Sequence, residues 1–227
     1  MRFDIITIFP EILKPILNES ILKRAQDKKK VQIVVHDLRD YTDDKHLKVD
    51  DRPFGGGPGM LMMPQPIFDA VKKIKGRKKA YVILTCPTGN KLTQAKLHQL
   101  KKEKNIIIIC GHYEGVDERV REKLVDESIS IGDFVLTGGE IPALVLVDGI
   151  TRLIPGVLGK EQSIQHESFE GNWLEYPQYT RPANFRGITI PDVLLSGHHK
   201  EIEAWRLEQS RKKTKKVRPE LLKDSGQ

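Results

Sequence analysis

The 227-residue chain has only two cysteines, Cys86 and Cys110, far apart and without C-x-x-C spacing. That excludes a disulfide framework and a cysteine-built zinc site, and it fits a reducing compartment. No apolar run approaches the ~20 residues needed to span a bilayer. The apolar start "MRFDIITIFPEIL" is interrupted by Asp4, Pro10 and Glu11 too early for a signal peptide. A cytoplasmic protein with no membrane partner is expected. Internal repeats are absent too, which excludes a solenoid.

Glycine, by contrast, is concentrated. "RPFGGGPGMLMMP" (52–64) places Gly55, Gly56, Gly57 and Gly59 within five positions. A phosphate-binding P-loop needs a following Lys-Ser/Thr pair, and here Pro58 and Gly59 lead to Met60. A dinucleotide fingerprint needs an apolar strand before its glycines, and here the polar "KVDDRPF" precedes them. Read alone, the stretch is a surface turn that uses Gly for positive φ and Pro for stiffness. Met60, Met62 and Met63 read as core filling.

The formal net charge of +7 favours an anionic partner. Residues 200 to 227 hold nine Lys or Arg against five Asp or Glu, with Lys212, Lys213, Lys215 and Lys216 suited to phosphate contact.

"RFDIITIF" and "KVQIVVHDL" read as strands flanking a helix interrupted near Pro15, and "QPIFDAVKKIK" reads as a further helix. From residue 80 the alternation is regular. "AYVILTCP" ends in the turn Pro87-Thr88-Gly89, "NIIIICG" ends at Gly111, and "DFVLTGG" ends at Gly138-Gly139, with helices between and after. Alternation of this kind predicts a parallel α/β sheet, with three strand-end turns converging on one ligand site. Cys86 reads as a buried thiol with nothing basic beside it. Residues 1–160 form the α/β domain, 161–175 a flexible polar linker expected to be poorly ordered without its partner, and 176–227 a small basic helical domain.

"VDDRPFGGGPGMLMM", "CGHYEGVDERV", "SIGDFVLTGGEIPAL", "RLIPGVLG", "YTRP" and "LLSGHHKEIEAWRLEQS" occur in this order along nearly the whole chain. In these motifs the chain resembles the bacterial tRNA (guanine-N1)-methyltransferases of the SPOUT superfamily, which modify the guanosine 3′ to the anticodon, position 37. The resemblance implies a deep C-terminal trefoil knot in the parallel sheet, where periodicity alone predicts an ordinary doubly wound sheet. It also implies a homodimer with active sites at the subunit interface, S-adenosylmethionine as methyl donor, and magnesium dependence. No carboxylate cluster in the sequence suggests a metal site, and the adjacent His198 and His199 lack further ligands at metal spacing.

Carried over motif by motif, the cofactor contacts are Leu84, Thr85, Cys86 and Pro87; Gly111, Tyr113, Glu114 and Gly115; and Ile131, Gly132, Phe134, Leu136, Gly138, Gly139 and Pro142. The RNA-facing residues are His46, Asp50, Arg52, Gly55, Gly56, Gly57 and Gly59, with Tyr179, Arg181, Ser196, Gly197, His198 and His199 meeting the anticodon branch. N1 of guanine carries a proton, so a carboxylate must remove it while a cation holds the charge moving onto O6. The resemblance assigns the cation to Arg152 and the base to Glu167, where the family usually has Asp; His166 and Glu170 flank it. Two other readings stay open on sequence: the same fold acting on another RNA, and an RNA-binding protein without catalysis, which the Glu at 167 favours.

Overall fold

The computed structural model describes residues 1–159 and 167–225. The chain divides into two compact units, Met1–Gly159 and Lys160–Gln227. In the first, β1 (Arg2–Thr7) leads through α1 (Pro10–Leu17) and α2 (Ser20–Asp27) to β2 (Gln32–Asp37). Two short strands, β3 (Asp50–Asp51) and β4 (Leu61–Met62), precede α3 (Pro64–Lys75). Alternation follows: β5 (Tyr81–Lys91), α4 (Gln94–Leu100), β6 (Asn105–Cys110), α5 (Glu118–Leu124), β7 (Glu127–Ser130) and α6 (Glu140–Thr151).

The five long strands pair in the order β2-β1-β6-β5-β7, every pairing parallel. A parallel sheet covered on both faces needs continuous apolar strands. "NIIIIC" of β6 meets that demand, with its last five residues buried. Across the ladders Phe3 lies beside Ile33 and Ile106 on one face, and Ile109 beside Ile6 and Leu84 on the other, so apolar side chains stack over both faces. The exits from β5 and β6 are capped. Thr93 Oγ1 accepts from the Lys96 N–H at the start of α4, and Asp117 accepts from the Arg119 N–H at the start of α5.

Asp4 is one of two carboxylates buried in the first unit, the other being Glu140. Asp4 on β1 accepts from Arg2 Nε and Nη2 at 2.7 Å each, and its Oδ1 lies 2.8 Å from His36 Nε2 on β2. Tyr41 Oη in turn lies 2.8 Å from His36 Nδ1. Burial pushes the Asp4 carboxyl up, but the hydrogen bonds from Arg2 and His36 outweigh it and hold Asp4 below the usual carboxylate range.

Four local expectations are corrected. The interrupted helix breaks at Asn18-Glu19, where Ser20 takes φ +51°, and Pro15 stays inside α1. β5 does not end at Pro87; it leaves the β7 ladder after Thr85 and rejoins at Asn90. "DFVLTGG" is no strand. The third strand is the short, mixed "ESIS" upstream, and Phe134, Val135 and Leu136 are exposed in the loop after it. Their β-like composition reflects something other than pairing in the sheet.

The fourth correction concerns residues 182–198, expected to be helical. In the second unit β8 (Asn184–Phe185) and β9 (Ile188–Thr189) form a small hairpin, and a single 3-10 turn (Asp192–Leu194) precedes α7 (His199–Val217). Asn184, Gly187 and Pro191 break any helical period there. Within the expected linker, residues 161–166 lie outside the described residues. Those from 167 to 175 pack along α7: the Leu174 N–H donates to Thr214 Oγ1 at 2.9 Å, and Lys213 Nζ to the Glu175 carbonyl at 3.0 Å. Arg211 stands over Trp173 and Arg218 over Phe169.

Because the Asp4 carboxyl is depressed in the folded state, its stabilisation is present above the unfolded value of about 3.9 and fades as pH falls through the folded one. Asp4→Asn is expected to cost about 2 kcal/mol at neutral pH. The difference from the parent shrinks below about pH 4. Urea unfolding of both proteins across pH 3 to 8 checks this; a pH-independent difference would refute the charge account.

Candidate functional site

The carboxyl ends of β5, β6 and β7 open into one cavity of about 410 Å³, where open α/β sheets bind ligands. Three chain segments bound it: the excursion of β5 at residues 86–88, the turn after β6, and the loop from Ile131 to Gly139 with Pro142 in the first turn of α6. They meet at backbone level. The Gly139 N–H donates to the Gly111 carbonyl at 2.9 Å, and His112 and Gly138 form an antiparallel bridge. Thr85 Oγ1 lies 3.1 Å from the Ile109 carbonyl and 3.3 Å from that of Gly139. A Cβ on Gly139 would press into Thr85 Oγ1 and lie 2.7 Å from Cys110 Cα, so only glycine allows this approach.

Behind this junction Glu140, buried at the start of α6, accepts from Thr7 Oγ1 at 2.6 Å and has Oε2 3.0 Å from His112 Nε2. The pair ties the end of β1 to the turn after β6.

All fifteen residues expected to hold the cofactor line this cavity. Leu84 and Ile129 give it a buried apolar floor, and Phe134, Val135 and Leu136 an apolar, solvent-facing wall. The sequence reading missed Thr88, His112, Val135 and Thr137, each flanked by motif residues, and Arg121, which no local signal marks. Arg121 reaches back from α5 to donate from Nη1 to Thr88 Oγ1 at 3.0 Å and from Nη2 to Cys86 Sγ at 3.5 Å. Cys86 is therefore half-buried beside a guanidinium, which corrects the expectation of a buried thiol with no basic neighbour. Cys110 is the buried thiol, and burial, then the Glu140 charge, push it well up.

The glycine stretch lies beside this cavity. It spans the antiparallel pair β3 and β4, whose base is stitched to the turn after β6. The Met62 N–H donates to the Gly115 carbonyl at 3.0 Å, Glu114 N–H to Met60 at 3.0 Å, and Asp117 N–H to Met62 at 3.0 Å. Met62 is buried, and its Sδ accepts from the His112 N–H at 3.2 Å; Met60 and Met63 are half-buried. Gly55, Gly56, Gly57 and Gly59 all take positive φ, and the first three have open space where a Cβ would be. A Cβ on Gly59 would lie 2.5 Å from Glu114 Oε1. Glu114 thus borders both the cavity and the glycine loop. Arg52 lines a shallow hollow with Gly56, Gly57, Gly59 and Met60, Asp50 pairs with Met62, and His46 is exposed in the preceding turn.

The remaining expected residues are not among those that line the cavity. Arg152 caps the end of α6, its N–H bonded to the Asp148 carbonyl. Glu167 belongs to the second unit, where it lines a hollow with Glu170, Trp173, Tyr176 and Arg206. His166 lies outside the described residues. Ser196, Gly197, His198 and His199 form the turn into α7: Ser196 Oγ accepts from the His198 N–H at 3.0 Å, and Gly197 takes φ +73°. Arg181 is exposed, and the Tyr179 ring is 6.4 Å from that of Trp205.

Residues 1–224 match the sequence model of the family described as tRNA (Guanine-1)-methyltransferase TrmD. The chain belongs to this family. Relatives of that kind share about half of its residues over nearly the full length. A tRNA (guanine-N(1)-)-methyltransferase of Bacillus subtilis is 52% identical over 226 residues, 99% of this chain and 93% of the relative. That of Halalkalibacterium halodurans is 54% identical over 224 residues, 98% of this chain and 91% of the relative. That of Ruminiclostridium cellulolyticum is 53% identical over 224 residues, 98% and 96% respectively. The family resemblance read from six motifs is borne out. Among the described residues no helix is long and apolar enough to cross a membrane, and no group of three His, Cys, Asp or Glu is placed to hold a metal ion.

At the cavity and in the glycine loop beside it, crowding and backbone strain predict different costs at different glycines. Gly139→Ala, which drives a Cβ into backbone and Thr85, is expected to cost about 3 kcal/mol. Gly56→Ala, strained but uncrowded, should cost about 1 kcal/mol. Denaturant unfolding of both variants checks this, and equal costs would contradict the crowding argument.

Proposed function

We propose that this chain transfers the methyl group of S-adenosylmethionine to N1 of the guanosine at position 37 of tRNA, 3′ to the anticodon. The observation carrying the reading is the junction of three strand-end segments around one cavity, with the glycine loop against its rim at Glu114. Membership of the family supplies the reaction class.

The cavity fits such a methyl donor. Leu84, Ile131, Phe134, Leu136 and Pro142 offer apolar walls for an adenine ring, and Gly111, Gly138 and Gly139 bring backbone donors and acceptors to its edge. The Glu114 carboxylate suits ribose hydroxyls or a cationic tail. Bound there, the donor supplies a methyl group on a sulfonium, open to direct displacement. The chain's residues then have three tasks. The bare backbone of Gly55–57 and Gly59 admits a flipped guanine, which an enzyme acting on a base edge takes out of the stack. Glu167 removes the N1 proton, and Arg152 holds the negative charge that gathers on O6. No nucleophilic Ser, Cys or Lys is required, because no covalent intermediate forms.

The finer architecture follows the same reading. The sheet's C-terminal part is proposed to be threaded as a deep trefoil knot, which its parallel order and the loop junction at Gly139 support. A homodimer is proposed because Ile12 and Ile16 on α1 and Ile141 and Val145 on α6 are exposed at i, i+4 spacing. Residues 176–227 are the tRNA-binding part, meeting the anticodon branch through Tyr179, Arg181 and the Ser196–His199 turn.

Labelled-methyl transfer to a tRNA with guanosine at position 37 tests the reading. The parent is expected to yield N1-methylguanosine. Glu167→Gln should lower kcat by about 100-fold or more, and Arg152→Ala by about 100- to 1,000-fold. No N1-methylguanosine from the parent would overturn the function. Full activity in Glu167→Gln would move the base to Glu170 or His166.

A further inference from the structure

The hairpin of β8 and β9 has two residues per strand, joined by Arg186-Gly187, and belongs to no larger sheet. A pair so short buries no face of its own. Phe185 lies opposite Ile188, so the two share a face. That face looks outward, with Phe185 55% and Ile188 73% exposed. The Arg186 guanidinium stands over the Phe185 ring, 5.1 Å from its centroid.

The turn is expensive in its residue choice. Arg186 has φ +56° and Gly187 φ +83°, the left-handed pair of a two-residue hairpin, which selects Asn, Asp or Gly. The turn closes without the guanidinium, because Asn184 Oδ1 accepts from the Gly187 N–H at 2.9 Å. Among the described residues Arg186 makes no ion pair. A strained backbone thus holds an arginine at the apex, over an exposed aromatic, where the fold itself favours glycine or asparagine.

We propose that this tip docks single-stranded RNA: an unstacked base of the substrate tRNA lies on the Phe185–Ile188 face, and Arg186 meets base and neighbouring phosphate. An aromatic platform with an adjacent guanidinium is how proteins hold unstacked bases. The charge agrees, since nine Lys or Arg oppose five Asp or Glu in residues 200–227 of the same unit. A purely apolar partner fits poorly, because it would strip water from the apical guanidinium. The inference rests on tRNA being the substrate.

Arg186→Gly separates docking from folding, since it relieves the strained φ while removing the guanidinium. It is expected to keep or raise Tm, to raise the tRNA Kd about 5- to 10-fold, and to reduce the salt slope of binding by about 1. Phe185→Ala should raise Kd about 10-fold and Phe185→Trp should restore it. The KM for tRNA should follow Kd while kcat holds. Fluorescence anisotropy with full-length tRNA and with its anticodon stem-loop gives Kd, and methyl transfer gives the kinetic split. Kd within twofold of the parent in both Arg186→Gly and Phe185→Ala overturns the proposal. So does loss of a dimer with RNA binding intact, which would assign the tip to a second copy. If the parent binds RNA without methylating guanine N1 and these variants lose that binding, the docking tip stands and the methylation reading falls. A parent that binds no RNA refutes both.

Discussion

At the carboxyl end of the sheet, three chain segments approach one another closely enough only because Gly139 has no side chain. Its N–H reaches the Gly111 carbonyl, and Thr85 Oγ1 sits within hydrogen-bond distance of its carbonyl. The backbone at Cys110 occupies the space a Cβ would need. Move any of the three and the cavity changes shape, because each forms one of its walls. The buried Glu140 sets the spacing from behind, holding Thr7 of β1 and His112 beyond β6 on its two oxygens. This carboxylate is well satisfied, so it fixes geometry without the penalty of an unpaired buried charge.

From that junction the arrangement spreads outward in layers of decreasing burial. The sheet is close-packed isoleucine, the cavity wall is half apolar loop, and the glycine stretch beyond it is nearly all exposed backbone. The gradient suits a site whose small ligand needs a fixed pocket and whose large one must come and go. Glu114 stands where the two regions touch, an exposed carboxylate against Gly59. Crowding at that contact explains why the fourth glycine differs from the three before it, which face open space.

Much of this was legible in the letters, for identifiable reasons. The largely β-branched runs "YVIL" and "NIIII", bounded by turn residues, favour buried strands, and Gly111 and Gly138-Gly139 mark places where backbone passes backbone. Other features were hidden. "DFVLTGG" has strand composition, but its apolar residues face a cavity and solvent, and periodicity cannot tell those from a sheet. Arg121 comes to Cys86 from a helix 35 residues away, and no local pattern announces such a meeting. Glu140 reads as an ordinary acidic residue in a helix's first turn until β1 is seen to deliver Thr7 beside it. The small hairpin escaped because its strands are two residues long, below any period that could be counted. The place of Glu167 relative to Arg152 is not a sequence-local matter at all, since each belongs to a different compact unit.

The contrast between the two thiols has a practical side. Cys110 is sealed in the sheet, with its proton held tightly by burial, whereas Cys86 sits half-open in the cavity wall beside a guanidinium. An alkylating dye would therefore find one address on the native chain, and that address is in the ligand cavity. Anything occupying the cavity would slow the dye, so the unaltered protein carries its own occupancy gauge, readable by labelling kinetics without any engineered probe.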